Sequence, residues 1–195
     1  MNNPQSDLLK GKTCEDFRRL NNGLINKFEI DIAKVARVEI ETAKGSELIS
    51  LKRIFDESKV PPLGNISLVV TLKIDGRHLP CPSIALRELI RSLQTCGEYE
   101  IFTCGCGCAA CAGICRDVVV VHDGDLTVWK AYGLKRKRVF VFNRDQYRTE
   151  VLTKSRQFMD DYKRLPDARS PHVYFDDIND VEKALLDLNR NNPGI

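Results

Sequence analysis

The sequence predicts an α+β fold: a mainly antiparallel sheet, about three amphipathic helices, and a cysteine-rich loop at one end of the sheet. Three features carry that expectation. Stretches of two-residue alternation follow one another without a helix between each pair, unlike the βαβ rhythm of a parallel sheet. Helical spacing of apolar residues is confined to a few windows. Residues 102–115 read FTCGCGCAACAGIC, with a glycine between each of the first three of five clustered cysteines.

The clearest strand covers 66–74, where Ile66, Leu68, Val70, Leu72 and Ile74 alternate with Ser67, Val69, Thr71 and Lys73, so one face is predicted to be buried. Upstream, Phe28, Ile30 and Ile32 alternate with Glu29 and Asp31, and Val38 and Ile40 alternate with Glu39 and Glu41. A turn at Lys44, Gly45 and Ser46 then leads to an apolar stretch over 48–55, and together these read as strands of an antiparallel meander. After Asp75 and Gly76, Pro82 opens a predicted helix in which Leu86, Leu89, Ile90 and Leu93 fall at i, i+3, i+4 and i+7, with Gly97 at its C-terminal cap.

Beyond the cysteines, the strand-forming runs 118–122 and 126–129 flank Asp123-Gly124, a hairpin signal because both residues tolerate positive φ. The run 139–142 is continuously apolar and is expected to be a central strand covered on both faces. Asn143 is placed to cap a following helix, with Gln146 three residues on and an inner stripe of Tyr147, Val151, Phe158, Tyr162 and Leu165. A short strand at 172–175 and a last amphipathic helix bearing Ile178, Val181, Leu185 and Leu188 complete the pattern.

A chain of 195 residues with 43% hydrophobic content is predicted to fold as a single α+β domain over 1–195, with a small N-terminal subregion at 1–60 and a motif-bearing core at 66–165. No apolar run reaches the roughly 18 residues of a membrane span, and the N-terminus lacks the layout of a signal peptide, so a cytoplasmic protein with no membrane partner is expected. The formal charge of +3 implies no polyanion partner without local clustering. Eight cysteines in 195 residues fall short of the density of a disulfide scaffold.

The five clustered thiols, Cys104, Cys106, Cys108, Cys111 and Cys115, are the candidate metal ligands. A structural zinc takes four ligands, with sulfur at ~2.3 Å, so the chain must turn tightly about the ion. Gly105, Gly107 and Gly113 permit such turning. Cys104 and Cys106 would supply one pair, and Cys111 with Cys108 or Cys115 the other. The spacing is not that of a zinc knuckle, and five thiols for four places leave zinc, an iron–sulfur cluster and packed or reversibly oxidised thiols all as readings. Cys14, Cys81 and Cys96 stand apart and are expected to pack as small apolar residues. No catalytic residue is identified: His78, His122 and His172 form no dyad motif with a cysteine, and His122 reads as a solvent-facing turn residue.

Residues 66–151 resemble a family of uncharacterised small bacterial proteins with an F-T-C-x-C-G-x-x-G-C-A-G-I motif followed by a Trp-bearing hairpin. Here the matching residues are Asp75, Gly76, Phe102, Thr103, Cys104, Cys106, Gly107, Cys111, Ala112, Gly113, Ile114, Trp129, Phe140, Phe142 and Tyr147. Ala110 departs from the motif's glycine, and Cys108 and Cys115 are additions. The resemblance implies that the three shared cysteines matter most. By analogy of protein type alone, it also implies an immunity or accessory partner of a bacterial toxin.

Charge is unevenly placed. Between 130 and 148, Lys130, Lys135, Arg136, Lys137, Arg138, Arg144 and Arg148 face a single acid, Asp145. With Trp129 and Tyr132 beside them, Arg136 and Arg138 could meet phosphates while an aromatic ring stacks on a base, which makes nucleic acid an alternative partner. From 160 to 187 acids dominate, and Asp176, Asp177, Asp180 and Glu182 at the last helix could steer a basic protein partner. The leading expectation is a non-enzymatic protein-binding protein whose cysteine loop, with or without zinc, is structural. A metal- or thiol-dependent enzyme using the 104–115 cluster is the alternative from another class.

Overall fold

The alternating stretches at the N-terminal side become one long ladder. β1 (Phe28–Thr42) and β3 (Asn65–Ile74) pair antiparallel from Phe28↔Ile74 to Arg37↔Asn65. The computed structural model of the chain describes residues 19, 24–42, 45–53, 65–79, 83–103, 118–131, 138–164 and 178–191. Where two short strands were expected over 28–40, β1 is continuous for 15 residues, because its second half pairs with β2 (Gly45–Arg53) across a bulge between Ala36 and Arg37. β4 (Arg77–His78) follows β3 through a two-residue turn, giving a sheet of order β2-β1-β3-β4. Asp75 (φ +53) and Gly76 (φ +73) both sit in the left-handed region, as a type I′ hairpin requires.

The second sheet has the order β10-β9-β8-β6, built from β6 (Gly97–Tyr99), β8 (Val118–Asp123), β9 (Leu126–Ala131) and β10 (Arg138–Asn143), all antiparallel. The expected hairpin is present, but Asp123 pairs with Leu126, so the turn residues are Gly124 and Asp125. Only Gly124 (φ +56) needs positive φ. β5 (Ser83–Ile84) and β7 (Phe102–Thr103) make a further two-stranded pair. β10 is covered on both faces as expected, yet it lies at the edge of its sheet rather than in the centre. Asn26 caps that edge. Its main-chain N–H donates to the Val141 carbonyl at 2.7 Å, and its side-chain Oδ1 accepts the Val141 N–H at 2.9 Å, so the edge presents no open rung there.

The described helices are α1 (Leu86–Arg91), α2 (Arg144–Lys163) and α3 (Ile178–Asn191). α1 is shorter than its apolar spacing suggested, since Ile84 is drawn into β5 and Leu93 is buried beyond the helix end. Gly97 opens β6 instead of capping that helix. In α2 the expected cap forms: Asn143 Oδ1 accepts the Gln146 N–H at 3.0 Å. Tyr147, Val151 and Phe158 are buried along the expected stripe, as are Val181 and Leu188 of α3. Leu165 and the strand expected at 172–175 lie outside the described residues.

One continuous core joins the two sheets. Phe28 and Ile30 of β1, Leu72 of β3, Leu89 of α1, Trp129 of β9, Phe142 of β10 and Tyr147 of α2 all belong to it. Trp129 is its centre: its ring meets Phe28 at 5.4 Å, Phe142 at 5.3 Å and Tyr147 at 5.7 Å between centroids, each edge-to-face. Burying one such side chain stabilises the fold by roughly 1.5–3 kcal/mol. Val121, Leu126, Val128 and Val141 form a separate buried cluster on the opposite face of the second sheet. The sheets are thus antiparallel with helices packed upon them, an α+β architecture. No described helix is long and apolar enough to cross a membrane.

Candidate functional site

The five clustered cysteines, Cys104, Cys106, Cys108, Cys111 and Cys115, lie outside the described residues, as do Cys14, Cys81, Arg136, Asp176 and Asp177. The flanking ends are defined. The chain enters this segment from Thr103 at the end of β7 and leaves it into Val118 at the start of β8. Thr103 is buried, and its hydroxyl makes no hydrogen bond among the described residues. Among the described residues, no group of three or more His, Cys, Asp or Glu is placed to hold a metal ion.

Four expectations are corrected. Trp129 is fully buried at the centre of the aromatic core, so it offers no ring to a partner or a nucleobase. The apolar neighbours Phe28, Phe142 and Tyr147 claim it. The basic stretch is likewise not one exposed face: Arg138 is exposed at the start of β10, whereas Lys130 is buried and Arg144 and Arg148 are half-buried. Cys96 is an exposed free thiol rather than a core residue, and its Sγ accepts the His122 main-chain N–H at 3.2 Å.

The fourth correction is His122. Its ring is half-buried and engaged at both nitrogens, with Nε2 2.7 Å from the Ser92 carbonyl and Nδ1 3.0 Å from Thr127 Oγ1. A carbonyl only accepts, so Nε2 carries the proton and Nδ1 takes the Thr127 hydroxyl. Burial holds this imidazole below its ordinary value of 6.5, the Ser92 bond opposes that shift, and the nearby Arg144 cation reinforces it. Ser92 is also the hub of a buried chain. Its hydroxyl donates to the Leu89 carbonyl at 2.7 Å, which leaves the Tyr147 phenol to donate to Ser92 Oγ, also at 2.7 Å. Burial pushes the Tyr147 phenol well above its usual range. The Trp129 indole N–H lies close enough to favour the phenol oxygen's charged form, but without hydrogen-bond geometry.

Of the acids expected to meet a partner, Asp180 is drawn into a groove between α1 and α3. Arg87, Arg91, Gln94, Asp180, Lys183, Ala184, Asp187 and Arg190 line a space of about 430 Å³. Arg87 Nη1 donates to Asp180 Oδ2 at 2.8 Å, and Arg190 Nη1 lies 3.9 Å from Asp187 Oδ1. Beneath them sits Glu88, a buried carboxylate. Arg91 Nη1 donates to its Oε1 at 2.9 Å, while Arg87 Nε stands 3.3 Å away as an ion pair without hydrogen-bond alignment. The acidity expected of the last helix is therefore partly neutralised by α1. Asp180 is paired, and Glu182 remains exposed outside the groove lining.

Four cations against two carboxylates give the groove lining a net charge of +2, counted over Arg87, Arg91, Lys183 and Arg190 less Asp180 and Asp187. The surface pair Arg87–Asp180 stabilises by at most about 1 kcal/mol, because both side chains are substantially solvated. Its consequence is geometric: the two arginines are held in place by Glu88 and Asp180. Sequence reading missed this groove because α1 and α3 lie some ninety residues apart, and only a contact such as Arg87 to Asp180, 93 residues distant in sequence, reveals it. Comparisons with protein-family models, curated proteins and solved structures give no match.

Proposed function

We propose that this chain is a non-enzymatic protein-binding protein that meets its partner through the groove between α1 and α3, with the 104–115 cysteines serving a structural purpose, with or without zinc. The observation that carries the reading is the anchoring of Arg87 and Arg91 on the buried Glu88 carboxylate. Guanidinium groups fixed before binding lose less side-chain freedom when a partner carboxylate arrives. Leu186, an exposed large apolar side chain of α3, falls one turn from Lys183 and Arg190 and supplies apolar contact area beside the charges. The partner surface that fits is acidic with an apolar neighbour. An immunity or accessory role toward a bacterial toxin, as the family resemblance implies, is consistent with that chemistry.

The test is a paired capture experiment from the native host. Lys183→Glu with Arg190→Glu reverses two exposed cations of the groove lining that do not hold the buried Glu88, so the melting temperature should hold. Proteins retained by the wild type should be lost by the double variant, and a purified partner should bind it at least about tenfold more weakly, with affinity falling as salt rises. Identical captured sets on both baits would reject the groove as the partner surface.

A further inference from the structure

Among the described residues, the first half of β1 has an open side. Asp75 N–H donates to the Lys27 carbonyl across the ladder at 3.0 Å, which makes Phe28↔Ile74 a non-hydrogen-bonded pair. By alternation Ile30 and Ile32 also turn their main-chain N–H and C=O groups away from β3. Among the described residues, β2 pairs with β1 from Val35 onward, and none of them pairs with this outward side at 30–32. A side chain occupies one of its positions: Glu150 of α2 reaches across, and its Oε1 accepts the Ile30 N–H at 2.8 Å.

Between this edge and α2 runs a groove of about 740 Å³, within the range of specific ligand sites. One side is formed by β1 residues Phe28 to Asp31 and the other by the helix flank carrying Asp145, Thr149 and Glu150. Lys27 pairs with Glu29 at 3.0 Å and Lys73 with Asp31 at 3.4 Å, so those charges cancel locally. Asp145 and Glu150 form no ion pair among the described residues. Lys154, the remaining cation of the lining, donates to Gln157. The unneutralised balance of the groove is acidic.

We infer that the open edge of β1 at Ile30 and Ile32 accepts an extended, basic segment of a partner protein as an added strand, lying between β1 and α2. Strand addition needs a free edge for main-chain hydrogen bonds and a side-chain feature that fixes register. The Ile30 and Ile32 edge provides the first and Glu150 the second. The Glu150 carboxylate sits on the Ile30 N–H where the carbonyl of an incoming peptide would bind. When the segment docks, its own carbonyl takes that N–H, its main chain pairs with Ile32, and the released Glu150 meets a lysine or arginine of the segment. This site is separate from the α1–α3 groove and does not depend on it.

A phage-displayed library of random peptides selected on the full chain tests the idea, with main-chain amide exchange followed by NMR. Selected peptides should carry a lysine or arginine at one fixed position, slow the exchange of the Ile32 amide, and lose about tenfold in affinity on Glu150→Lys. Ile32→Pro, which removes the Ile32 N–H at an edge where proline is tolerated, should abolish binding. If that variant does not fold, the exchange of the Ile32 amide in the wild type decides the matter. Failure to select any peptide, or selected peptides that leave the Ile32 amide exchanging at its free rate, would overturn the proposal. Neither variant touches Lys183 or Arg190, so partner capture through the α1–α3 groove would persist either way.

Discussion

The carboxylate of Asp75 holds Asn26: Oδ2 accepts the Asn26 side-chain N–H at 2.7 Å, while Oδ1 accepts the Lys27 main-chain N–H at 2.8 Å. Asn26 in turn bonds both main-chain groups of Val141 on the edge of β10. A turn residue of the first sheet thereby fixes the strap that closes the edge of the second.

Replacing Asp75 tests that linkage. Asp75→Ala loses two hydrogen bonds and places a Cβ-bearing residue without a local partner at φ +53, so a loss of about 2 kcal/mol is expected in chemical denaturation. Asp75→Gly removes the same bonds but relieves the backbone, and should cost about 1 kcal/mol less than alanine. Equal losses for the two variants would show that the bonds alone matter.

The buried Ser92–Tyr147 pair predicts an asymmetry. Tyr147→Phe leaves the Ser92 hydroxyl still donating to Leu89 and should cost about 1 kcal/mol. Ser92→Ala strands the phenol O–H in the core without an acceptor, and should cost more, up to about 3 kcal/mol. Melting curves of the two variants, with the order reversed, would contradict the donor assignment.

His122 gives the fold a pH dependence of known sign. Its folded-state value lies below 6.5, so between these two values the unfolded chain binds more protons and stability falls as pH drops. The loss begins as pH falls through about 6.5 and levels off once the folded imidazole is itself protonated. His122→Gln retains a donor for the Ser92 carbonyl and cannot titrate. The stability gap between wild type and variant should therefore shift in the variant's favour from pH 7 to pH 5, measured by urea midpoints in parallel.

The proposed structural role of the clustered cysteines predicts a contrast with Cys96. Serine at Cys104, Cys106 or Cys111 should lower the melting temperature by several degrees, each ~2–4 °C reporting about 1 kcal/mol in a chain of this size. Cys96→Ser removes an exposed thiol whose sulfur accepts a single main-chain amide, and should change it little. Elemental analysis of protein purified without added metal would show whether zinc accompanies the effect. Uniformly unchanged melting temperatures would remove the structural reading.

The sequence by itself determined the local elements. Alternation at 66–74 specified a half-buried strand, Asn143 specified the start of α2, and the apolar stripes of α2 and α3 specified their inner faces, because each of these signals lies within a few neighbouring residues. Tertiary structure decided the rest. Whether 28–42 is one strand or two depends on β2 and β3 flanking it, and whether 139–142 is central or at an edge depends on which strand arrives beside it. The burial of Trp129 depends on Phe28, Phe142 and Tyr147 converging from three other elements. Likewise the acids of α3 became half of a charged groove only when α1 brought Arg87 to Asp180. Side-chain periodicity encodes which face is apolar, but charge partners and strand neighbours are set by contacts between residues far apart in the chain, which local pattern does not contain.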